Sequence, residues 1–231
     1  MISFIIPAYN EENRIYKTLV ELTSYLNKFF KDYEIICAVD GTDETAQIVR
    51  KFMLKNHRVK LLESKKRLGK GRALQKGVVK SKGEKVIIID ADLPVPLNSI
   101  KDVNQLLEDY DVVNAKKLYH NYPFYRRITR AAFILTQKIL FPNLGVSETQ
   151  GGFKGFTKVA AKNIFRSLKI SGFASDVEIL VRAKRMDFKI KDYPVKFTYK
   201  KDSKVNPLTD SLLMLKDIIA YKLYEFKHQN F

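Results

Sequence analysis

The chain has 231 residues, 45% of them hydrophobic, which supplies one sizeable core and excludes a disordered polypeptide. Its formal charge of +17, from 42 Lys/Arg against 25 Asp/Glu, points to an anionic partner, and no window reaches the ~18–20 consecutive apolar residues of a membrane span. A single cysteine, Cys37 in the apolar run YEIICAVD, excludes an internal disulfide framework and most cysteine metal sites, so any metal would be held by carboxylates.

The opening MISFIIPAYN carries neither a basic n-region nor a small-residue cleavage site, so no secretory signal is expected and the protein is placed on the cytoplasmic side. MISFIIPAY, YEIICAVD, RVKLLES, KVIIIDAD and YDVVNAK are short apolar, β-rich runs, and each of the first four is followed by a stretch with helical spacing. In NRIYKTLVELTSYLNKFF, residues Ile15, Leu19, Leu22, Leu26 and Phe29 fall on one face, as in a helix laid on a sheet. Strands alternating with such helices predict a mainly parallel α/β sheet of Rossmann-like type. Ligands bind such sheets beyond the carboxyl ends of the strands, where Pro7 to Glu12, Asp40 to Thr45 and Asp90 to Asp92 all fall.

After about residue 112 the pattern loosens. The basic, aromatic stretch KKLYHNYPFYRRITR leads into an apolar helix near 128–141, and NLGVSETQGGFKGFTK gives a Gly-rich loop with a short strand. SDVEILVRAKRM reads as a helix, FKIKDYPVKFTYK as a strand and NPLTDSLLMLKDIIAYKLYEF as a terminal amphipathic helix. The expectation is one compact unit over 1–231, with a first half at 1–112 and a smaller lobe at 113–231. Charge divides the same way: residues 1–112 hold 19 Lys/Arg against 16 Asp/Glu, residues 113–207 hold 20 against 6, and the remainder is balanced at 3 against 3.

Asp90 and Asp92 stand one residue apart at the end of KVIIID, a spacing that lets two carboxylates reach one Mg²⁺ or Mn²⁺ whose other ligands are phosphate oxygens. On spacing alone two solvated turn aspartates are the plainer reading, but the apolar run marks a central strand, which ends at the ligand crevice. Pro94 and Pro96 stop that strand from running on. RLGKGRALQKG sets Arg67, Lys70 and Arg72 around two glycines where a helix begins, a contact for a diphosphate or simply a basic loop. It lacks the G-x-x-x-x-G-K-[ST] pattern, so an ATPase has little support.

FIIPAYNEE, AVDGTDETA, RLGKGRALQKGVVKSKGEKVIIIDADL, TQGGFKGFTK, FASDVEIL and PVKFTYKKDSKVNPLTDSLLMLKDI occur in the order found in family 2 glycosyltransferases of the GT-A fold. The chain most resembles the branch that makes dolichyl- or polyprenyl-phosphate sugars, especially the dolichyl-phosphate β-glucosyltransferases, with dolichol-phosphate mannose synthases as neighbours. The resemblance implies an inverting transfer from a nucleotide-diphosphate sugar, UDP-glucose ahead of GDP-mannose, to a polyprenyl or dolichyl phosphate, with Mn²⁺ or Mg²⁺ at Asp90 and Asp92. It also implies that Pro7, Tyr9 and Glu11 contact base and ribose, that Asp40 recognises the base, and that Arg67, Lys70, Asp90 and Lys204 bind the donor, with Ser203 beside Lys204. Gln150 matches the glutamine beside the donor sugar and Asp176 an acidic residue near the acceptor, a base or a positioning group.

The family usually reads D-D-G-S-x-D-x-T where this chain has VDGTDET, so Asp40 stands alone in a shortened loop. Arg126, Arg127 and Arg130 are the expected cations for the acceptor phosphate, Arg126 and Arg130 sharing a helix face, with Phe133, Ile134 and Leu140 entering the acyl boundary and Tyr119, Tyr122, Phe124 and Tyr125 nearby as interfacial anchors. The plainer readings are a solvated basic face and packed aromatics. Peripheral contact with the cytoplasmic face of an anionic membrane, aided by a membrane-anchored protein partner, follows from this reading. A saccharide hydroxyl acceptor is the alternative. A nucleic-acid partner is disfavoured, because recognisable motifs are missing and carboxylate-rich strand ends repel a phosphate backbone.

Overall fold

The computed structural model describes residues 1–119, 124–197 and 209–228, with the side chains of 119 and 124–127 outside that description. The alternation expected of the first half is present: β1 (Ile2–Ala8), α1 (Ile15–Phe29), β2 (Tyr33–Val39), α2 (Thr45–Met53), β3 (Val59–Glu63), α3 (Lys70–Lys80), β4 (Lys85–Ile89) and α4 (Ser99–Leu106). The rest of the chain adds β5 (Val112–Tyr119), α5 (Phe124–Leu140), β6 (Phe153–Thr157), α6 (Lys158–Phe165), α7 (Ser175–Arg185), β7 (Ile190–Phe197) and α8 (Thr209–His228).

Among the described residues the later segment forms no sheet of its own. Its strands extend the first four into one seven-stranded sheet of order β3-β2-β1-β4-β6-β5-β7. β1 pairs in parallel with β2 and β4, β2 with β3, and β5 with β7, whereas β6 is antiparallel to both β4 and β5. Among the described strands the sheet is therefore mainly parallel, with β6 alone reversed. Strand order turns back between β1 and β4, so the crevice of an open α/β sheet lies beyond the carboxyl ends of those two strands. Because β6 runs the other way, its amino end sits there too, with Phe153 opposite Ile89.

Alternation along the central strands fills two cores. Phe4, Ile6, Ile35, Cys37 and Ile87 pack on the face that carries residues of α1, α2 and α4. Ile5, Ile36, Val86 and Ile88 pack on the other, with residues of α3, α5, α6, α7 and α8. Cys37 is fully buried, and burial pushes its thiol up to about 12, as expected of a core residue.

Two sequence expectations change on α1 and α5. Ile15, Leu19, Leu22 and Leu26 are buried, but Phe29, at the last turn of α1, is exposed with the Lys101 ammonium 3.4 Å from its ring centroid. On α5, Phe133 is buried and Leu140 packs against the second core, so neither faces outward. Among the described side chains of α5, the large apolar ones that face outward are instead Ile128, Leu135 and Ile139.

Candidate active site

Two loops close the β1–β2 side of the crevice by interlocking. Asn10, in the left-handed region at φ 53°, accepts through Oδ1 from the Thr42 amide at 3.0 Å, and a Cβ on Gly41 would sit 2.3 Å from that oxygen. The Glu11 amide donates to Thr45 Oγ1 at 2.7 Å, and the Glu11 carboxylate accepts from Arg14 Nε at 2.6 Å. These contacts hold Pro7, Tyr9 and Glu11 beside the loop that follows Asp40. The Arg67 guanidinium stacks over the Tyr9 ring at 4.4 Å, which joins two residues expected at the donor site.

Asp40 has a task that its motif did not reveal. It is buried, and its Oδ2 accepts from the amides of Leu68 and Gly69 at 2.7 and 2.8 Å. One oxygen of the carboxylate thus fixes the basic loop, so Asp40 acts first as a positioning residue for Arg67 and Lys70. Gly69, at φ +83°, has no room for a side chain: a Cβ would meet the Ser171 carbonyl oxygen at 2.5 Å.

Lys70 opens α3 and points into a charged cluster. Its ammonium lies 3.2 Å from Asp90 Oδ1 and 3.3 Å from Asp176 Oδ2. Burial alone would lower the Lys70 pKa, but Asp176 and Asp90 overcome it and raise it above its usual value. Lys154 reaches the same carboxylate from β6. It is fully buried, donates to the Thr149 and Gly151 carbonyls, and lies 2.7 Å from Asp176 Oδ1.

Asp176 differs accordingly from an expected base. It is 5% exposed, with each oxygen paired to a different lysine. Burial would raise its pKa, yet Lys154 and Lys70 hold it below the usual carboxylate value. An ionised, doubly paired carboxylate is a poor proton acceptor, so its geometry is that of a group that aims lysines.

Asp90 and Asp92 follow β4 in a tight turn. The Asp90 amide donates to the Gly152 carbonyl at 3.1 Å, Leu93 adopts φ 45°, and Thr18 Oγ1 of α1 donates to the Ala91 carbonyl at 2.6 Å. Gly152 is moulded to Asp90: a Cβ there would fall 1.5 Å from Asp90 Oδ2. Both aspartates keep some exposure at the crevice. Among the described residues no group of three or more His, Cys, Asp or Glu side chains could hold a metal. A divalent cation at Asp90 and Asp92 would thus take phosphate or water oxygens as its other ligands, and this hard, two-carboxylate donor set fits Mg²⁺ or Mn²⁺.

The loop before β6 carries Gln150 and is pinned from every side. Ser147 donates through N and Oγ to Asp192 Oδ2 of β7 at 2.9 and 2.7 Å. Glu148 accepts from the Lys117 amide of β5, and Thr149 donates to Gln137 of α5 at 2.7 Å. Gln150 itself reaches α8, with Nε2 at 3.6 Å from Met214 Sδ.

Arg130 is turned the same way and away from its expected role. Its Nε and Nη2 donate to the two oxygens of the buried Glu148 at 3.1 and 2.8 Å, so its fork holds the loop and is not presented to an acceptor phosphate. Lys204 and Ser203 lie outside the described residues, as does Tyr122. The side chains of Arg126, Arg127, Tyr119, Phe124 and Tyr125 do too.

A family model described as glycosyl transferase family 2 matches residues 3–165. The chain is a family 2 glycosyltransferase. This glycosyltransferase is 33% identical over 241 residues to a dolichyl-phosphate beta-glucosyltransferase of Dictyostelium discoideum, covering 96% of this chain and 73% of that one. It is 30% identical to the human protein of the same name, covering 96% and 75%. Among solved structures, a Mycobacterium tuberculosis glucosyl-3-phosphoglycerate synthase in complex with Mn²⁺, UDP and glucosyl-3-phosphoglycerate aligns with a TM-score of 0.74 at 23% identity, covering 97% of this glycosyltransferase and 79% of that chain. That likeness is one of fold, and it agrees with the α/β sheet described above.

Sequence reading missed Lys154, Lys117, Glu148 and Asp192 in this glycosyltransferase. Lys154 left one signal, a lysine inside the otherwise apolar FKGF of a strand flanked by glycines. The others became visible only when β5, β6 and β7 were seen side by side.

Proposed function

We propose that this glycosyltransferase moves glucose from UDP-glucose to the phosphate of a dolichyl or other polyprenyl phosphate at the cytoplasmic face of a membrane, with Mn²⁺ or Mg²⁺ at Asp90 and Asp92. The names of its relatives support glucose and the lipid phosphate. The observation that carries the acceptor class is the pairing of Asp176 with Lys154 and Lys70. A sugar hydroxyl needs a base to take its proton, whereas a lipid phosphate is already ionised at neutral pH and needs none. A buried carboxylate capped by two ammonium groups suits the second acceptor.

In this reading Tyr9, Arg67 and the interlocked 9–12 and 41–45 loops seat the nucleoside. Lys70 turns from Asp90 and Asp176 to the diphosphate, and Gln150, held by its pinned loop, orients the sugar. A bound divalent cation would offset the charge that grows on the leaving diphosphate. The acceptor oxygen approaches the anomeric carbon from the opposite side, and the bond to the diphosphate breaks as the new one forms, so configuration inverts. Lys117, whose pKa burial lowers and Glu148 restores in part, adds a cation on the β5 side of the crevice. The rate gain comes from fixed charges and positioning rather than proton transfer.

The test is to incubate the purified protein and a short polyprenyl phosphate with UDP- and GDP-sugars, with Mn²⁺, Mg²⁺ or chelator, and to assay lipid-linked sugar. Lipid-linked glucose from UDP-glucose, lost with chelator, is expected. Transfer from GDP-mannose alone would replace the donor, and transfer only to free saccharides would overturn the acceptor.

A further inference from the structure

α5 and α8 are each apolar on two opposite faces. On α8, Met214, Ile218 and Tyr221 turn into the second core, while Leu212, Ile219, Leu223 and Phe226, at helical spacings of seven, four and three, lie on the far side and are 69, 42, 59 and 71% exposed. On α5, Phe133 faces the same core, while Ile128, Leu135 and Ile139 form the opposite stripe at 54, 61 and 69% exposure. The helices pack against one another through Phe141, just after α5, and Tyr221, with ring centroids 6.4 Å apart. As both bury one face in one cluster, their outward stripes look to the same side. Single exposed leucines need no explanation, but seven large apolar side chains on two neighbouring helices do.

The charge around these stripes selects the occupant. α5 contains four basic residues and no acidic one. Lys138, Lys216 and Lys227 are exposed, whereas Asp210 and Asp217 are partly withdrawn and Glu225 is buried against Arg185. An apolar stripe edged by lysines with its carboxylates drawn back complements an anionic lipid surface, and it would repel a second copy of itself. No helix among the described residues is long and apolar enough to cross a membrane. We infer that the outward face of α5 and α8 lies on an anionic bilayer, with its leucines and isoleucines at the acyl boundary and its lysines among the headgroups. The choice of a bilayer rests on the lipid-phosphate reading above; the geometry of the face does not.

The chain has no tryptophan, so one introduced indole reports its own surroundings. Leu223→Trp is compared with Leu54→Trp, a still more exposed control of the α2 side on the other face of the sheet. With vesicles of phosphatidylcholine and phosphatidylserine, emission from Leu223→Trp should shift to shorter wavelength and be quenched by brominated acyl chains, and Leu54→Trp should do neither. In co-sedimentation, Leu135→Glu with Leu223→Glu should weaken vesicle binding at least tenfold. Both sites are exposed, so the fold should be kept, which circular dichroism checks.

Equal vesicle binding by this double variant and the unaltered chain would overturn the inference. So would an unaltered chain that stays in the supernatant, or one that sediments as a dimer which the double variant breaks. Transfer to a water-soluble short polyprenyl phosphate is assayed without vesicles and should be equal in the two proteins. Vesicle binding without any such transfer would sink the acceptor reading and leave the docking face standing.

Discussion

Two glycines three residues apart offer a sharp test of how the crevice is built. In Gly152→Ala the new Cβ would lie 1.5 Å from Asp90 Oδ2 and 2.3 Å from its Cγ. A carbon–oxygen contact needs ~3.3 Å, so the carboxylate has to swing by about 2 Å. Gly152 is not at positive φ, and the atom in the way is the end of a side chain, so folding should cost only about 1 kcal/mol. A misplacement of ~1 Å at a reacting centre costs ~100-fold, so transfer should fall at least that far while the melting temperature moves by roughly 2–4 °C. In Gly155→Ala the Cβ would meet Val103 Cγ1 at 2.4 Å, inside the packing of α4 on β6. That variant should lose ~1–3 kcal/mol of stability and keep its specific activity. Thermal melts and initial rates at saturating donor measure both. A Gly152→Ala enzyme with unaltered turnover would refute the placement of Asp90 at the chemistry.

Asp92→Asn should abolish transfer with little change in unfolding midpoint, and unchanged turnover across a metal titration would remove Asp92 from the metal site. Lys154→Met leaves Asp176 with Lys70 alone and takes the lysine donor from the Thr149 and Gly151 carbonyls, the first of which keeps the Gly151 amide, so urea unfolding should show a loss of about 3–5 kcal/mol, part of it recovered when Asp176→Leu is added. Burial would raise the Glu34 pKa, but hydrogen bonds from Lys60, Ser3 and the Lys82 amide bring it below the ordinary 4.5. Its stabilising contribution is therefore complete above that value and lost as pH falls through the lowered folded one, so urea midpoints of Glu34→Gln should depend less on pH below about 4.5 than those of the unaltered chain.

The legible part of the sequence was the part with one dominant constraint. β1, β2 and β4 are buried on both faces, so they read as nearly continuous apolar runs, broken only by Ser3 in β1, Glu34 in β2 and Lys85 at the start of β4, and Asp90 stands out as the first charge after the last of them. Residues 153–157 gave no direction, because five residues interrupted by a glycine and a lysine carry no period, and only pairing with β4 and β5 shows that β6 is reversed. α6 carries little signal for a similar reason: its eight residues make about two turns. α5 misled in another way. With apolar residues on two faces its spacing fits two phases, and the one that sent Phe133 outward and offered Arg130 to a ligand was the wrong one. Nor does spacing reveal that Asp176 faces Lys70 and Lys154, which lie 106 and 22 residues away.

β5 and β6 are neighbours in the sheet and antiparallel, so everything between them, residues 120–152, is topologically the tip of one hairpin. That tip holds α5, half of the outward apolar face, and the loop that ends at Gln150. Its two ends are fixed by strand pairing, and Phe133, Phe141, Leu144 and the 147–152 loop that seats Asp90 are fixed by packing, while the outward residues Ile128, Leu135 and Ile139 are not. A lineage can therefore vary that outward surface without shifting the register of any strand or moving the aspartates that follow β4. Exchanges at those outward positions of α5, with the 147–152 loop kept, are the natural route to alter this surface while leaving the crevice intact.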